Sequence, residues 1–233
     1  KKYKLKLVGD FMEKIDTLVK AFKKICNLDT GISFIYSKTE EESIKYRELY
    51  HLSLCLLNGM KNKGIKKGDE VVFQISDNKD FLISFWACIL GGIIAVPVTL
   101  GNGEEDAIKL SGVWKKMKNP KLSVSDNMLS SVKGLLEKID DDECRQDIAS
   151  KIFLVSDFNS EIEAEAENVD PSDIAYIQFS SGSTGNPKGV ILTHDNLITN
   201  IFDILKGCKA DMTDISLSWM PLTHDMGLIG LHI

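Results

Sequence analysis

Between two apolar runs the chain carries the stretch Phe179-Ser-Ser-Gly-Ser-Thr-Gly-Asn-Pro-Lys-Gly-Val190. The run before it, Ala175-Tyr-Ile-Gln-Phe179, and the run after it, Val190-Ile-Leu-Thr193, are both typical of strands. A glycine-rich turn between strands can point successive backbone N–H groups at one anion, because glycine adopts the positive φ angles that this requires. The serine and threonine hydroxyls and the charge of Lys188 add further donors. The stretch therefore predicts a cradle for the terminal phosphates of a nucleotide.

Three other interpretations of this stretch are weaker. A flexible Gly/Ser linker would not be expected between two strands and ahead of a helix. A Walker loop ends in Gly-Lys-Ser/Thr, whereas Lys188 follows Pro187 and precedes Gly189. A hydrolase elbow needs Gly-x-Ser-x-Gly, which Gly182-Ser-Thr-Gly185 does not provide.

Composition narrows the class of protein. The 233 residues are 43% hydrophobic, enough to bury a sizeable core, and the net charge of −6 gives no electrostatic footprint for nucleic acid. The five cysteines are scattered and the histidines lack metal-ligand spacing, so we expect a reduced, cytoplasmic protein with no metal site of its own. Residues 81–100 carry no charge, but Gly91-Gly92 and Pro97 divide them into a buried helix and a buried strand, so no membrane association is expected.

Strand-like and helix-like segments alternate along the chain at the spacing of crossover connections. This pattern predicts an α/β fold with a largely parallel sheet flanked by helices. The acidic stretches at Asp140–Glu143 and Glu161–Glu167 are expected to be solvated loops or helix faces. The second stretch makes a seam, so we expect a first α/β subdomain with an N-terminal helix over residues 1–168 and the start of a second subdomain over residues 169–233.

A second motif, Ser218-Trp-Met-Pro-Leu-Thr-His-Asp-Met-Gly-Leu-Ile-Gly230, follows the first. Together the two stretches resemble, in order and nearly residue for residue, the signatures of the adenylate-forming superfamily, the AMP-dependent synthetases and ligases. The second stretch resembles the form found in fatty acyl-AMP ligases. The resemblance extends from about Ser33 to the end of the chain. It implies that the fold is the N-terminal part of the large domain of these enzymes.

The resemblance also implies roles for individual residues. Lys188 and His224 are the expected catalytic residues, with Lys188 countering phosphate charge and His224 lying beside the junction of the carboxylate and the α-phosphate. A capping or packing role for His224 is the alternative, and Asp225 would orient or cap. In the other His-Asp pair, Thr193, His194 or Asp195 is expected to cap the following helix. The expected ATP-binding residues are Ser180, Ser181, Gly182, Ser183, Thr184, Gly185 and Lys188.

The activity implied is ATP-dependent conversion of a carboxylic acid, in particular a fatty acid, to an acyl-adenylate with release of pyrophosphate. Mg²⁺ would assist, with most of its ligands outside these residues. An acyl carrier protein is the expected acceptor, and CoA is the alternative. The alternative to an enzyme is a non-catalytic nucleotide-binding or scaffolding module. Because the family's later motifs are missing, we expect an N-terminal fragment that is inactive alone.

Overall fold

The computed structural model describes residues 15–99, 101–180, 187–211 and 213–233. Eight strands and eight helices, with two short 3₁₀ turns at Asp126–Met128 and Val155–Phe158, make up the described chain. The strands are β1 (Gly31–Ile35), β2 (Glu41–Lys45), β3 (Glu70–Gln74), β4 (Ile94–Pro97), β5 (Pro120–Val124), β6 (Ile152–Leu154), β7 (Ile174–Ser180) and β8 (Lys188–Thr193). The helices are α1 (Leu18–Ile25), α2 (Tyr46–Asn62), α3 (Asn78–Leu90), α4 (Glu104–Trp114), α5 (Leu129–Leu136), α6 (Asp142–Ser150), α7 (His194–Cys208) and α8 (Asp225–Leu228).

Six of the strands form one sheet in the order β6-β5-β3-β4-β7-β8. The pairs within β6-β5-β3-β4-β7 are parallel, and β8 joins β7 antiparallel at the edge. Strands β1 and β2 form a separate antiparallel pair. The predicted α/β class with a largely parallel sheet is therefore confirmed.

The sheet separates two apolar layers, because successive side chains of a strand point to opposite faces. Val71 and Phe73 pack in a cluster with side chains of α1, α2, α3 and α7, whereas Val72 packs in a second cluster with side chains of α4, α5 and α6. Strands β3 and β4 are buried along their whole length, as expected for parallel strands covered on both faces.

Within the uncharged segment, residues 81–90 belong to α3 and residues 94–97 form β4, and both lie in this core. The Asp77 carboxylate caps α3, accepting hydrogen bonds from the backbone N–H groups of Lys79 and Asp80. Gly92, with φ of 60°, turns the chain from α3 into β4. Among the described residues, no helix combines the length and apolarity that crossing a membrane requires.

Three elements were not predicted from the sequence, and the acidic stretch at residues 161–167 was described incompletely. No strand was assigned to β2, whose only buried residue is Ile44, and no helix to the short α8 or to α6, which is largely polar and begins after the capping Asp141. The acidic stretch Glu161–Glu167 has mostly exposed carboxylates, as predicted, but its backbone is anchored. The Ala164 and Glu167 N–H groups donate to Leu54 and Leu90 carbonyls at 3.0 and 2.8 Å.

Candidate active site

The predicted phosphate cradle lies between two hydrogen-bonded strands. β7 and β8 pair antiparallel with Ser180 opposite Lys188, so the two ends of the connecting segment are held side by side. Because β4 and β7 run parallel, this point lies at the same edge of the sheet as the carboxyl end of β4. Lys188 is exposed there. The predicted ATP-binding residues Ser181, Gly182, Ser183, Thr184 and Gly185 lie outside the described residues.

Glycines allow close packing where the segment enters β8. A Cβ atom added at Gly189 would lie 3.0 Å from Cζ of Phe179 and 3.1 Å from Cγ2 of Ile177, so these side chains would have to shift slightly to admit a larger residue. On α4, a Cβ added at Gly112 would lie 3.0 Å from the ring carbons of Pro187, which is buried. The path of the chain into Lys188 is thus set by contacts on two sides.

The second motif forms a turn and the short helix α8, which His224 caps. The Nδ1 atom of His224 lies 3.2 Å from the Met226 backbone nitrogen and 2.7 Å from Oδ1 of Asp225. When Nδ1 carries a proton, it donates to the Asp225 carboxylate, which also accepts from the Met226 N–H at 2.7 Å. The His224 side chain is 60% exposed. The arrangement gives His224 a capping contact and gives Asp225 the geometry of an orienting group.

A hydrogen-bonded chain connects the two motifs. The Tyr176 hydroxyl donates to Oε1 of Gln178, and Nε2 of Gln178 donates to the Thr223 carbonyl at 3.4 Å. The Thr99 hydroxyl, just after β4, donates to the Thr223 hydroxyl at 2.6 Å. Burial, followed by the negative charge of Asp225, raises the pKa of Tyr176, which therefore remains protonated and able to donate. His224 is thereby connected to β4 and β7.

Sequence reasoning did not identify Thr99, Gln178 or Thr223 as part of this site. One signal was present, because Gln178 is a polar residue in the apolar run that precedes the glycine-rich stretch. The contacts themselves join residues far apart in sequence, and no local pattern indicates them.

The other His-Asp pair has the structural role that was predicted. Thr193 caps α7, accepting from the Asn196 N–H at 3.2 Å, while the Asn196 side chain accepts from the Thr193 N–H at 3.1 Å. His194 is buried, and its Nδ1 accepts a hydrogen bond from the Leu18 N–H at 3.2 Å. Burial lowers the pKa of His194 to about 4, since desolvation outweighs the opposing charge of Asp173.

Metal ligands are not gathered anywhere in the described part of the chain, where no group of three or more His, Cys, Asp or Glu side chains could hold an ion.

Comparison with known proteins shows the family. Residues 29–233 match the model of the AMP-binding enzyme family. A Caulobacter vibrioides protein, provisionally named as an acyl-CoA synthetase, is 32% identical over 221 residues, covering 92% of this chain and 37% of its own length. The medium-chain-fatty-acid–[acyl-carrier-protein] ligase TtuA of Teredinibacter turnerae is 25% identical over 239 residues, covering 88% of this chain and 36% of its own length.

A solved structure agrees with these relatives. The fatty acyl-adenylate ligase of L. pneumophila, in complex with acyl adenylate and pyrophosphate, superposes with a TM-score of 0.79 at 25% identity over 94% of this chain. It is matched over 38% of its length, so the chain spans less than two fifths of each of these proteins. On the match over residues 29–233, the chain belongs to the AMP-binding enzymes, the adenylate-forming superfamily.

Proposed function

We propose that the protein carrying this chain activates a fatty acid with ATP, forming an acyl-adenylate and pyrophosphate. A carboxylate oxygen attacks the α-phosphorus, the bond between the α-phosphorus and its bridging oxygen breaks, and pyrophosphate leaves with the electron pair. The observation that supports this most directly is the hydrogen-bonded connection of the two motifs. Thr223, next to His224, contacts Gln178 of the strand that leads into the glycine-rich stretch.

Each motif has a role in this proposal. Ser180, Ser181, Gly182, Ser183, Thr184 and Gly185 would donate hydrogen bonds to the β- and γ-phosphates. Lys188 would counter their charge, and Mg²⁺ would neutralise further charge between the phosphates when bound. His224 would donate a hydrogen bond to an oxygen of the α-phosphate, where charge develops, with Asp225 orienting its ring.

An acyl carrier protein is the acceptor that we propose. The His224-Asp-Met-Gly227 form of the second motif and the likeness to a fatty-acid–[acyl-carrier-protein] ligase support this acceptor. CoA is the second candidate, supported by the relative provisionally named as an acyl-CoA synthetase.

The five cysteines are all free thiols, which supports a cytoplasmic setting.

The two subdomains that we propose, residues 1–168 and 169–233, share one β-sheet. β7, from the second part, pairs in parallel with β4 from the first at Ala95 and Tyr176. We propose that this pairing keeps the phosphate cradle in register with Thr99, and that the two subdomains do not move independently here.

The test is acid-dependent exchange of labelled pyrophosphate into ATP by the full-length protein, across a series of fatty acids. Lys188→Ala and His224→Ala should each lower the exchange rate by about 10²-fold or more, as loss of a donor to developing charge does. Lys38→Ala and His51→Ala are matched controls at exposed positions and should retain activity.

Unchanged exchange in both the Lys188 and His224 variants would refute the assigned roles. Nucleotide binding without exchange for any acid would instead favour a non-catalytic module. Mass analysis of products formed with a carrier protein or with CoA then identifies the acceptor.

A further inference from the structure

Trp86 and His232 form a hydrogen bond between residues that no motif includes together. The indole Nε1 of Trp86, on α3, donates to Nε2 of His232 at 3.1 Å, and the two rings meet edge to face with centroids 6.2 Å apart. The residues are 146 positions apart in sequence. The bond therefore connects the central core helix to the segment that follows α8.

Trp86 is held firmly at its end of this bond. It is 6% exposed, and its ring lies against Phe22 of α1 at a centroid distance of 4.1 Å. Phe85 meets it edge to face at 5.5 Å. Because these aromatic contacts fix the indole on two sides, Nε1 points to one place.

His232 is joined to His224 through α8 and the turns that follow it. The Leu228 N–H donates to the His224 carbonyl at 3.0 Å, and the His232 N–H donates to the Leu228 carbonyl at 3.2 Å. Leu228 itself is fully buried in the core cluster. A shift of His232 would therefore move the backbone that carries His224.

The bond also defines the state of the imidazole. Since Nε2 accepts, the ring proton lies on Nδ1. Burial lowers the pKa of His232 to about 4, so the ring is neutral near pH 7 and keeps its acceptor. Phe22 and Phe85, which contact the Trp86 ring, are apolar, and an unpaired indole N–H among them would be unfavourable. The bond to His232 satisfies that donor.

We propose that Trp86 and His232 are positioning residues for His224, and that their bond sets where the His224 imidazole stands relative to the α-phosphate. This rests on the proposed function for its catalytic consequence. The position of the segment itself is tested separately.

The kinetic test uses the full-length protein with Trp86→Phe and His232→Leu, which each remove one partner. His232→Gln keeps an acceptor at the place of Nε2 and is the rescue variant. Trp114→Phe is the control, since it removes another indole donor, the bond from Trp114 Nε1 to Oδ2 of Asp147 at 2.8 Å.

We expect Trp86→Phe and His232→Leu to lower kcat for pyrophosphate exchange by about 10-fold, because misplacing a catalytic group weakens transition-state contacts. KM for ATP should stay within about 2-fold, since ground-state binding is retained. His232→Gln and Trp114→Phe should remain near wild type. A rise in KM with unchanged kcat, or a loss in Trp114→Phe equal to that in Trp86→Phe, would overturn the proposal.

Combining Trp86→Phe with His224→Ala tests whether the first residue acts through the second. In that background the Trp86 substitution should have less than about a 2-fold effect, because coupled residues are non-additive. If kcat of the double variant were a further 10-fold below that of His224→Ala alone, Trp86 would act other than through His224.

Amide hydrogen exchange separates this proposal from the proposed function. Protected amides of Leu228, Ile229, His232 and Ile233 should exchange about 10-fold faster in Trp86→Phe than in wild type or Trp114→Phe, reflecting easier local opening. Unchanged amide exchange in Trp86→Phe would refute the positioning role even if the enzyme is active. If amide exchange is faster in Trp86→Phe but the wild-type protein makes no acyl-adenylate, the proposed function is refuted and the structural role of the bond is retained.

Discussion

The Thr99 hydroxyl donates to the Thr223 hydroxyl across 2.6 Å, so a residue just beyond β4 holds the residue before His224. Thr99→Val keeps the shape but removes the donor, and should lower kcat for acyl-adenylate formation by about 3- to 10-fold through looser placement of His224. The free energy of unfolding should change by less than ~1 kcal/mol, since a single exchanged hydrogen bond contributes little net stability. Thr99→Ser should behave as wild type in both measurements. A Ser variant as impaired as the Val variant would assign the effect to the methyl group instead.

Gly112 leaves room for Pro187, which precedes Lys188. In Gly112→Ala the added Cβ would lie 3.0 Å from the proline ring, so we expect the start of β8 to shift and KM for ATP to rise by about 3- to 10-fold. Gly134→Ala is the matched control, because it also lies in a helix but its Cβ would meet nothing within 4 Å. The control should keep its KM and gain about 0.5–1 kcal/mol of stability. Equal KM values for the two variants would show that the Pro187 contact does not position Lys188.

Gly227 allows α8 to pack on the backbone of the turn before it. A Cβ at this position would lie 2.2 Å from the Pro221 carbonyl oxygen, and backbone cannot yield as a flexible side chain does. We expect Gly227→Ala to lower the free energy of unfolding by about 1–3 kcal/mol in urea denaturation, as overpacking does. Adenylate formation should fall with it, since His224 caps this helix. Gly207→Ala, in open space on α7, should do neither, and a stable, active Gly227 variant would contradict the packing described.

Much of this architecture could be predicted from local pattern, and the remainder depended on tertiary contacts. The apolar runs around the glycine-rich stretch predicted β7 and β8, and the uncharged run interrupted by Gly91-Gly92 predicted the buried helix and strand that α3 and β4 form. Strand β2 was missed because Glu41-Glu-Ser-Ile-Lys45 has a single apolar residue and is stabilised by pairing with β1. The functional segment is held by Thr99 and Gln178, whose partners lie 124 and 45 residues away. Periodicity reports which face of an element is buried, but not which distant residue it meets.

Because His194 is buried, we expect the free energy of unfolding to fall in acid. Its pKa is lowered from 6.5 to about 4 in the folded chain, so only the unfolded chain takes up its proton as pH falls through this window. The contribution of His194 to the free energy of unfolding is therefore full above about pH 6.5 and declines between pH 6.5 and 4, by on the order of 2–3 kcal/mol. His194→Asn places an amide oxygen near the Leu18 N–H without a titrating group, and should lose correspondingly less stability over that range. Parallel pH profiles in urea denaturation would exclude His194 as the cause.

The register that sets Ser180 opposite Lys188 distinguishes the proposed anion site from anion sites built on helices. In a Walker loop the lysine opens a helix, whose dipole adds to the attraction. Here Lys188 opens β8, and the next helix begins at His194, six residues further along the chain and about 20 Å away at 3.4 Å per residue. The dipole of α7 therefore acts at the wrong end of β8 to assist. In the proposed site, a phosphate between β7 and β8 would rely on hydroxyl groups, backbone amides and the Lys188 ammonium group without a helix dipole, so the contribution of Lys188 to its affinity should weaken as ionic strength rises.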